Sequence, residues 1–257
     1  MRENKVIYGL IGYGGMGRWH TEILSNVPEI EIGGIYDIKE EKRIEAKEKG
    51  FSVYGSEEEM LSDPDIDVVL IATPNDCHKP IAIRAMHAGK NVISEKPVTL
   101  SSSDLQEMEN VAKETGKFLT VHQNRRWDDD FLIIRKLVEE QKLGHVFRIE
   151  SRVHGSRGIP GDWRKEKIHG GGMVLDWGVH LLDQILYLYG DRKIETVYAS
   201  LTHITNQEVD DGFTTILTFE GGTEVLVEVG TNNYISLPRW YVPVSYTHLR
   251  AHETEAD

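Results

Sequence analysis

The sequence predicts an α/β fold with a doubly wound parallel sheet, followed by an α+β domain with an antiparallel sheet. In the first half, short apolar runs alternate with helical stretches, and the run at 68–72 is apolar throughout, like strands that a parallel sheet buries on both faces. After Trp127, the strands instead alternate apolar and polar residues, which is typical of a sheet with one solvated face. The 257 residues suffice for two domains, which we expect at 1–123 and 124–243.

The elements of the first domain follow from apolar runs and from residues that start or stop helices. Its predicted strands are 6–11, 31–36, 51–54, 68–72, 91–94 and 118–121. Its predicted helices are 18–27, 40–49, 80–88, 102–115 and one that begins at 56–61. Ser56 is a typical N-cap, while Gly89 and Gly116 stop the helices before them. Repeated β-α units of this length, joined by right-handed crossovers, place the strands parallel in one sheet.

The second domain begins with an amphipathic helix at 131–141, which Gly144 closes. A strand follows at 146–153, and then a second amphipathic helix at 172–189. Three further strands are predicted at 195–202, 214–219 and 224–229. The last two flank Glu220-Gly221-Gly222-Thr223, which is a hairpin signal, so we expect these strands to pair antiparallel.

Gly12-Tyr13-Gly14-Gly15-Met16-Gly17 joins the first strand to the first helix, and Asp37 follows 20 residues after Gly17, at the end of the second strand. In this context the three spaced glycines allow a tight turn, a close approach of the backbone to a pyrophosphate and close packing of the helix. The helix N-terminus offers free N–H groups and partial positive charge to the phosphates. Asp37 can accept hydrogen bonds from both ribose hydroxyls and would repel a 2′-phosphate. The sequence therefore predicts a Rossmann-type dinucleotide site that prefers NAD over NADP.

Two more segments follow predicted strands at the edge where open α/β sheets bind ligands. Glu95-Lys96-Pro97 comes after the fifth strand, which places Lys96 near the nicotinamide end of a bound dinucleotide. Thr73-Pro74-Asn75 and then His78 follow the fourth strand, and we expect these residues, with Glu95, to face the cofactor. The alternatives are a solvated surface lysine and ordinary turn chemistry, since Pro-Asn commonly forms turns.

The predicted helix at 172–189 carries an acid and a histidine on one face. Asp176 and His180 are four residues apart, and Asp183 continues the same face. Such groups on an otherwise apolar helix are costly to bury unless they are paired or used. They could be catalytic, or Asp176 could cap the helix while His180 is a satisfied core residue.

Three residues outside that helix are candidates for substrate binding. Asn124 and Arg126 lie in the segment after the sixth strand, whose two arginines could hold substrate hydroxyls or a carboxylate, or could simply be solvated. Trp163 lies between Asp162 and Arg164, in a loop that could form a pocket wall or pack against the surface.

Composition and charge argue against several kinds of partner, cross-link and location. The formal net charge of −13 argues against a nucleic-acid or anionic-membrane surface. Cys77 is the single cysteine, which rules out an internal disulfide. No run of 18 apolar residues and no leader-like N-terminus occurs, so we expect a cytoplasmic protein. The sequence has no cluster with metal-ligand spacing, and we expect no metal.

Taken together, the sequence from Lys5 to about Val242 resembles the glucose-fructose oxidoreductase/inositol dehydrogenase (Gfo/Idh/MocA) family. The matching motifs are Gly12-x-Gly14-x-x-Gly17, Ala72-Thr73-Pro74-Asn75, Glu95-Lys96-Pro97, Asn124-Arg125-Arg126-Trp127 and the segment 170–183. The resemblance implies an NAD-dependent dehydrogenase that transfers a hydride between nicotinamide and a secondary alcohol of a polyol or sugar, inositol-like or related. We also expect the full-length protein to be a homo-oligomer.

The resemblance also implies roles for individual residues. In the inositol dehydrogenase branch, the residues that match Lys96, Asp176 and His180 form the catalytic group, and the residue that matches Asp183 binds a substrate hydroxyl. His180 would then be the general base, because an imidazole titrates near neutral pH, and Asp176 would orient it. Lys96 would donate to the reacting oxygen and stabilise developing alkoxide charge.

Two functions of other classes stay open at this level. One is an NAD-binding sensor or regulator without turnover, although a sensor would need none of Lys96, Asp176 and His180. The other is an NAD-dependent glycosidase of the same architecture that recycles its cofactor. Specificity depends on pocket shape, so the motifs do not name the substrate.

The last residues, 244–257, do not continue the patterns before them. They show no alternation, no cap and no apolar face, and they resemble the translated read-through of a common sequencing adapter. The family resemblance also stops near Val242, although family chains run on to complete the second domain. We therefore expect a non-native tail on a C-terminally truncated chain, whose pocket and oligomer would be incomplete, and the alternative is a genuine polar tail.

Overall fold

The computed structural model describes residues 5–243. The chain folds as two compact units that divide between His122 and Gln123. The segment 244–257, which we expect to be a non-native tail, lies outside the described residues. Within the described part of the chain, no helix is both long enough and apolar enough to cross a membrane.

The first unit contains a parallel sheet, as the sequence predicts. Its strands are β1 (Val6–Ile11), β2 (Ile30–Tyr36), β3 (Val68–Ile71), β4 (Asn91–Ser94) and β5 (Leu119–Val121). They lie in the order β2-β1-β3-β4-β5, and all the pairs are parallel. The central β3 is buried on both faces, which agrees with its continuous apolar run. The strand order reverses between β1 and β3, where doubly wound sheets bind ligands beyond the carboxyl ends of the strands.

The strand predicted at 51–54 is wrong, because this segment makes a single parallel bridge, between Val53 and Ile35 of β2. Two backbone hydrogen bonds of 2.9 Å hold the bridge. Gly50, at φ +90°, turns the chain just before it, and the next helix begins soon after it at Glu57. The segment is therefore too short to form a ladder.

Five helices connect these strands: α1 (Gly15–Leu24), α2 (Glu40–Glu48), α3 (Glu57–Ser62), α4 (His78–His87) and α5 (Ser102–Thr115). The predicted caps of α3 and α5 are confirmed. The Ser56 hydroxyl accepts from the Glu59 N–H at 3.0 Å, and Gly116 ends α5 at φ +64°. α1 begins at Gly15 rather than at Arg18, so the glycine-rich segment itself forms its first turn.

The second unit contains a second sheet. Its strands are β6 (Arg148–His154), β7 (Ile194–Thr202), β8 (Gly212–Phe219), β9 (Glu224–Gly230) and the short β10 (Trp240–Tyr241). They lie in the order β10-β6-β9-β8-β7, and the sheet is mostly antiparallel, as predicted. The exception is β6, which pairs parallel with β9. A helix and two strands separate β6 from β9 in the chain, and such a crossover connection permits a parallel pair.

The predicted hairpin joins β8 to β9. Gly221 and Gly222 have φ +91° and +83°, in the left-handed region that tight hairpins need. The Phe219 N–H donates to the Thr223 carbonyl, and the Gly222 N–H donates to the Phe219 carbonyl, each at 2.9 Å. The turn thereby sets the register of two strands whose side chains alternate between buried and half-buried positions.

The second unit also contains α6 (Asp129–Glu139) and α7 (Val179–Tyr189). The single helix predicted at 172–189 is interrupted, because Val174–Gly178 forms a π-helical turn before α7. A Cβ on Gly178 would lie 2.9 Å from the Phe213 ring, so glycine lets this turn lie close to β8. α6 ends before the predicted residue 141, since Gln141 adopts a left-handed φ of 54°.

Each unit has its own apolar core. In the first unit, Val69 and Met86 are fully buried between the sheet and its helices. In the second unit, Leu181 and Ile185 of α7 pack into a cluster with Val227 and other inward residues of the sheet. This packing orients the helix that carries the candidate catalytic residues.

Candidate active site

The glycine-rich turn after β1 needs glycine at two positions for the fold itself. Gly12 has φ +98°, and a Cβ there would lie 2.5 Å from the Ala72 carbonyl oxygen. A Cβ on Gly17 would lie 2.1 Å from the Gly12 carbonyl oxygen. Gly12 therefore permits the turn, and Gly17 permits close contact between α1 and the turn.

Gly14 and Gly15 differ from these two, because a Cβ on either residue would meet no atom within 4 Å. They lie at the N-terminus of α1, where free backbone N–H groups and the helix dipole favour an anion. The side chain of Met16, in the same turn, is half-buried. Cβ atoms would fill the open cradle that the two glycines leave, so the residues present fit the pyrophosphate of a dinucleotide.

Asp37 follows β2 and folds back on the glycine-rich turn. Its Oδ2 accepts from the Tyr13 N–H at 2.7 Å, and its Oδ1 accepts from the Lys39 N–H at 2.9 Å. The Tyr13 side chain is fully buried, with its ring edge-on to Phe51 at 6.4 Å between centroids. Tyr13 therefore contributes its backbone to this turn and its ring to the core.

His78 links the segments that follow β3 and β4. Its imidazole is fully buried, with Nδ1 2.8 Å from the Pro97 carbonyl oxygen and Nε2 3.0 Å from the Thr73 carbonyl oxygen. Burial lowers the pKa of His78, against the effect of these two carbonyls. A neutral imidazole has one N–H and donates to one carbonyl at a time. Because the buried ring contacts both segments, it links them. Pro74 is half-buried beside the buried Asn75 in the first of these segments.

Glu95 lies between two histidines. Its Oε1 is 2.6 Å from His20 Nε2 and 3.1 Å from His122 Nδ1, while its Oε2 accepts from the Lys96 N–H at 3.2 Å. Burial alone would raise the pKa of Glu95, but the hydrogen bonds from His122 and His20 outweigh it and hold that pKa well below its usual range. A buried carboxylate thus stays ionised next to the candidate catalytic lysine.

The same three side chains have the chemistry of transition-metal ligands. The ligand atoms of His20, Glu95 and His122 all lie within 4.8 Å of one another. They come from α1 and from the ends of β4 and β5, so linear spacing in the sequence could not reveal them. The hydrogen bonds to the shared carboxylate account for their arrangement without an ion.

In the second unit, Asp176 and His180 lie at the start of the helical region, as predicted. Asp176 Oδ1 accepts from Arg164 Nε at 3.1 Å. His180 is buried, and its ring lies edge-on to Trp177 at 6.0 Å between centroids. The Arg125 guanidinium stacks over the Trp177 ring, 4.2 Å from its centroid. An acid and a histidine are therefore held beside packed aromatic and cationic groups.

The structure brings together two of the residues predicted to bind substrate. Arg126 Nε and Nη2 donate to the two carboxylate oxygens of Asp183, at 2.7 and 2.6 Å. The bond to Asp183 raises the pKa of Arg126. Such a bidentate pair fixes the orientation of the carboxylate in a plane. Asn124 begins the 3-10 turn that carries Arg126, and half-buried Trp163 begins another.

Sequence reasoning missed an acid that supports the helix with the candidate catalytic residues. Asp210 Oδ2 accepts from the N–H groups of Met173 and Val174, each at 2.9 Å, and so caps the π-helical turn. Burial raises the pKa of Asp210, and those two N–H groups oppose the rise. A Cβ on Gly172 would lie 2.3 Å from Asp210 Oδ1. The cap comes from a residue 36 positions away, so no local signal could have identified it.

Two glycine variants should separate the fold from the cofactor site. Gly17→Ala should lower the free energy of unfolding by about 2–3 kcal/mol, because its methyl group would clash with backbone. Gly14→Ala should stay within about 1 kcal/mol of the parent, yet bind the dinucleotide more weakly. Urea unfolding and fluorescence titration with NADH measure the two effects. Parental NADH affinity in Gly14→Ala would show that the cradle does not hold the pyrophosphate.

Comparisons with known proteins match both parts of the chain. Residues 6–123 match the model of an oxidoreductase family with an NAD-binding Rossmann fold, and residues 131–244 match the GFO/IDH/MocA C-terminal domain. Among solved structures, the chain is similar to an NAD-binding protein from Listeria innocua. The identity is 54% and the TM-score is 0.91, over 94% of this chain and 71% of that one.

The curated relatives include inositol dehydrogenases. The scyllo-inositol 2-dehydrogenase (NADP(+)) IolW of Bacillus subtilis is 31% identical, over 79% of this chain and 57% of its own length. The myo-inositol 2-dehydrogenase of Thermotoga maritima is 30% identical, over 83% of this chain and 65% of its own length. The chain spans about half the length of several curated relatives that it matches, from 46% to 57%.

Proposed function

Since this chain belongs to the GFO/IDH/MocA family of NAD-binding oxidoreductases, we propose that it acts in a dehydrogenase for a polyol or sugar. The reaction moves a hydride between nicotinamide and a secondary alcohol, on an inositol or a related ring. The observation that carries the proposal is the start of the helical region in the second unit, where buried His180 lies one turn beyond Asp176. The inositol dehydrogenases among its relatives support the substrate class.

We assign the proton chemistry to three residues. In alcohol oxidation, neutral His180 takes the hydroxyl proton, and the Asp176 carboxylate favours the imidazolium that forms. The Lys96 ammonium donates a hydrogen bond to the same oxygen and stabilises the charge that develops there. The bound dinucleotide supplies the hydride acceptor at its nicotinamide ring. Asp183, oriented by Arg126, accepts hydrogen bonds from other substrate hydroxyls.

Cofactor preference provides a test of the first unit. We propose that NAD is preferred, because the carboxylate of Asp37 ends β2 beside the glycine-rich turn. Replacing Asp37 with Ser and the exposed Ile38 with Arg should move the NADP/NAD ratio of kcat/KM upward by about tenfold or more. The charge that repels a 2′-phosphate is removed, and a guanidinium that binds it is added. Ile38→Ala alone is the matched control, and a parent that already prefers NADP would contradict the assignment.

The central experiment is a substrate panel. Inositol isomers, aldoses and anhydro sugars are incubated with the protein and NAD or NADP, and formation of the reduced cofactor is followed by absorbance. We expect reduction with one or more cyclic polyols. Cofactor binding without turnover on the full-length protein would instead favour a sensor. With an aryl glycoside in the same assay, release of the phenol without net NADH would favour a glycosidase.

A further inference from the structure

Arg164 is tied to the acid of the catalytic helix by its side chain. It lies on the 3-10 turn Trp163–Lys165, and its guanidinium is largely buried. Nε donates to Asp176 Oδ1 at 3.1 Å, and Nη1 donates to Asp162 Oδ2 at 2.7 Å. The guanidinium also packs over the Trp163 ring, 4.6 Å from its centroid. Two carboxylates and an aromatic face therefore hold the cation in one orientation.

The backbone of Arg164 is tied to the same helix. Its carbonyl accepts from the Gly172 N–H at 3.0 Å, just before the π-helical turn begins. A Cβ on Gly171 would lie 2.3 Å from that carbonyl oxygen, so glycine is needed for the contact. Both the backbone and the side chain of Arg164 therefore bind the start of the helix that carries Asp176. These two attachments fix the contact between the guanidinium and the carboxylate.

The charge of Arg164 affects the basicity of His180 through Asp176. Asp176 and His180 are four residues apart on a helical face, where the carboxylate alone would favour the imidazolium. A guanidinium beside that carboxylate offsets part of this effect and leaves the imidazole less basic. Although burial opposes it, the charge of Asp176 raises the pKa of Arg164, so the cation keeps its charge.

We propose that Arg164 is a positioning residue for the dehydrogenase reaction: it orients Asp176 and lowers the proton affinity of His180. This inference rests on the proposed function, in which these two residues carry the proton chemistry. A less basic His180 is neutral, and therefore able to accept a proton, at lower pH.

Other titratable residues contact this region or lie on the same helix. Asp162 binds Arg164, the Glu166 carbonyl accepts from the Gly171 N–H, Arg125 stacks on Trp177, and Asp210 caps the π-helical turn, while Asp183 lies on α7 and binds Arg126. All of them are retained in the variants below, so a difference between those variants reports on the residue at 164.

The test compares Arg164→Gln, which removes the charge, with Arg164→Lys, which keeps it. NMR titration of the imidazole signals, with His180→Ala to identify the signal of interest, gives the midpoint of His180 directly. We expect the glutamine variant to raise this midpoint by about half a pH unit or more, and the lysine variant to stay near the parent. The exposed Arg157→Gln is the matched control and should change nothing.

Turnover gives the second readout. In Arg164→Gln, the acid limb of the pH profile of kcat should shift to higher pH. The plateau value of kcat should fall about tenfold, since Asp176 loses its orienting partner. Arg164→Lys should lower kcat less and leave the limb in place. A merely structural arginine would lower activity in both variants without moving the limb.

Equal His180 midpoints in the parent and in Arg164→Gln would overturn the proposal, as would equal shifts in the glutamine and lysine variants. If Arg164→Gln does not fold, Arg164→Met replaces it, because methionine also removes the charge and keeps part of the apolar stem, and this variant should again have a higher midpoint than the parent. The NMR result decides the role of Arg164 even where no polyol is turned over. Absence of turnover in the full-length parent would count against the proposed function alone.

Discussion

Replacing Lys96 with Met should lower kcat by about two to three orders of magnitude while the affinity for NAD changes little. Methionine keeps much of the length and the apolar stem of lysine but removes the ammonium group. The lost interaction is strongest in the transition state, when negative charge develops on the alcohol oxygen, so the effect falls on kcat rather than on binding. The backbone at this position is held separately, because the Lys96 N–H donates to the buried Glu95 carboxylate.

A surface lysine of the same unit provides the control. Lys113 is exposed on α5, and Lys113→Met should retain parental kinetics and cofactor affinity. Steady-state kinetics with the best substrate of the panel and fluorescence titration with NADH measure both quantities. Near-parental kcat in Lys96→Met would remove the lysine from the mechanism, and a large loss of NADH affinity would assign it to cofactor binding instead.

Replacing His180 with Ala should lower kcat by about two to four orders of magnitude and remove the acid limb of the pH profile. In alcohol oxidation, the neutral imidazole is the base, so parental turnover falls as the pH falls through the His180 pKa and the ring becomes protonated. Alanine has no proton to gain over this range. The remaining activity should therefore lack this limb, and it should rise with hydroxide concentration if solvent takes over as the base.

His180 is only 5% exposed, so its replacement also leaves a small cavity, and folding has to be measured beside turnover. Thermal unfolding of His180→Ala and of the bulkier His180→Asn separates loss of the base from loss of packing. His87, exposed at the end of α4, gives the matched control His87→Ala, which should keep both turnover and the limb. A parental acid limb in His180→Ala would assign that limb to another group.

Local signals in the sequence determined the features that depend on a few neighbouring residues. The turn at Gly12, the cap at Ser56 and the hairpin at Gly221 each follow from backbone conformations or short hydrogen bonds that the residue types impose. The spacing of apolar residues likewise separated a parallel sheet from a mostly antiparallel one, because a strand buried on both faces and a strand with one wet face need different patterns.

The partners of the site residues were decided by the tertiary structure. Glu95 meets His20 and His122 from positions 75 and 27 residues away, and Arg126 meets Asp183 from 57 residues away. The sequence marked most of these side chains as polar and well placed at the ends of strands or helices. It could not pair them, because the energy of a hydrogen bond or an ion pair depends on distance in space, and many acids were available to each base.

The same limit explains the elements that the sequence assigned wrongly. The segment at 51–54 has strand-forming residues but room for only one bridge, between Ile35 and Val53, and the helix predicted at 172–189 begins instead as a π-helical turn packed against Phe213. Residue propensity and hydrophobic periodicity determine which local conformations a segment can adopt at low energy. The neighbour that the rest of the fold places beside it, through packing and the available hydrogen-bond partners, selects one of them.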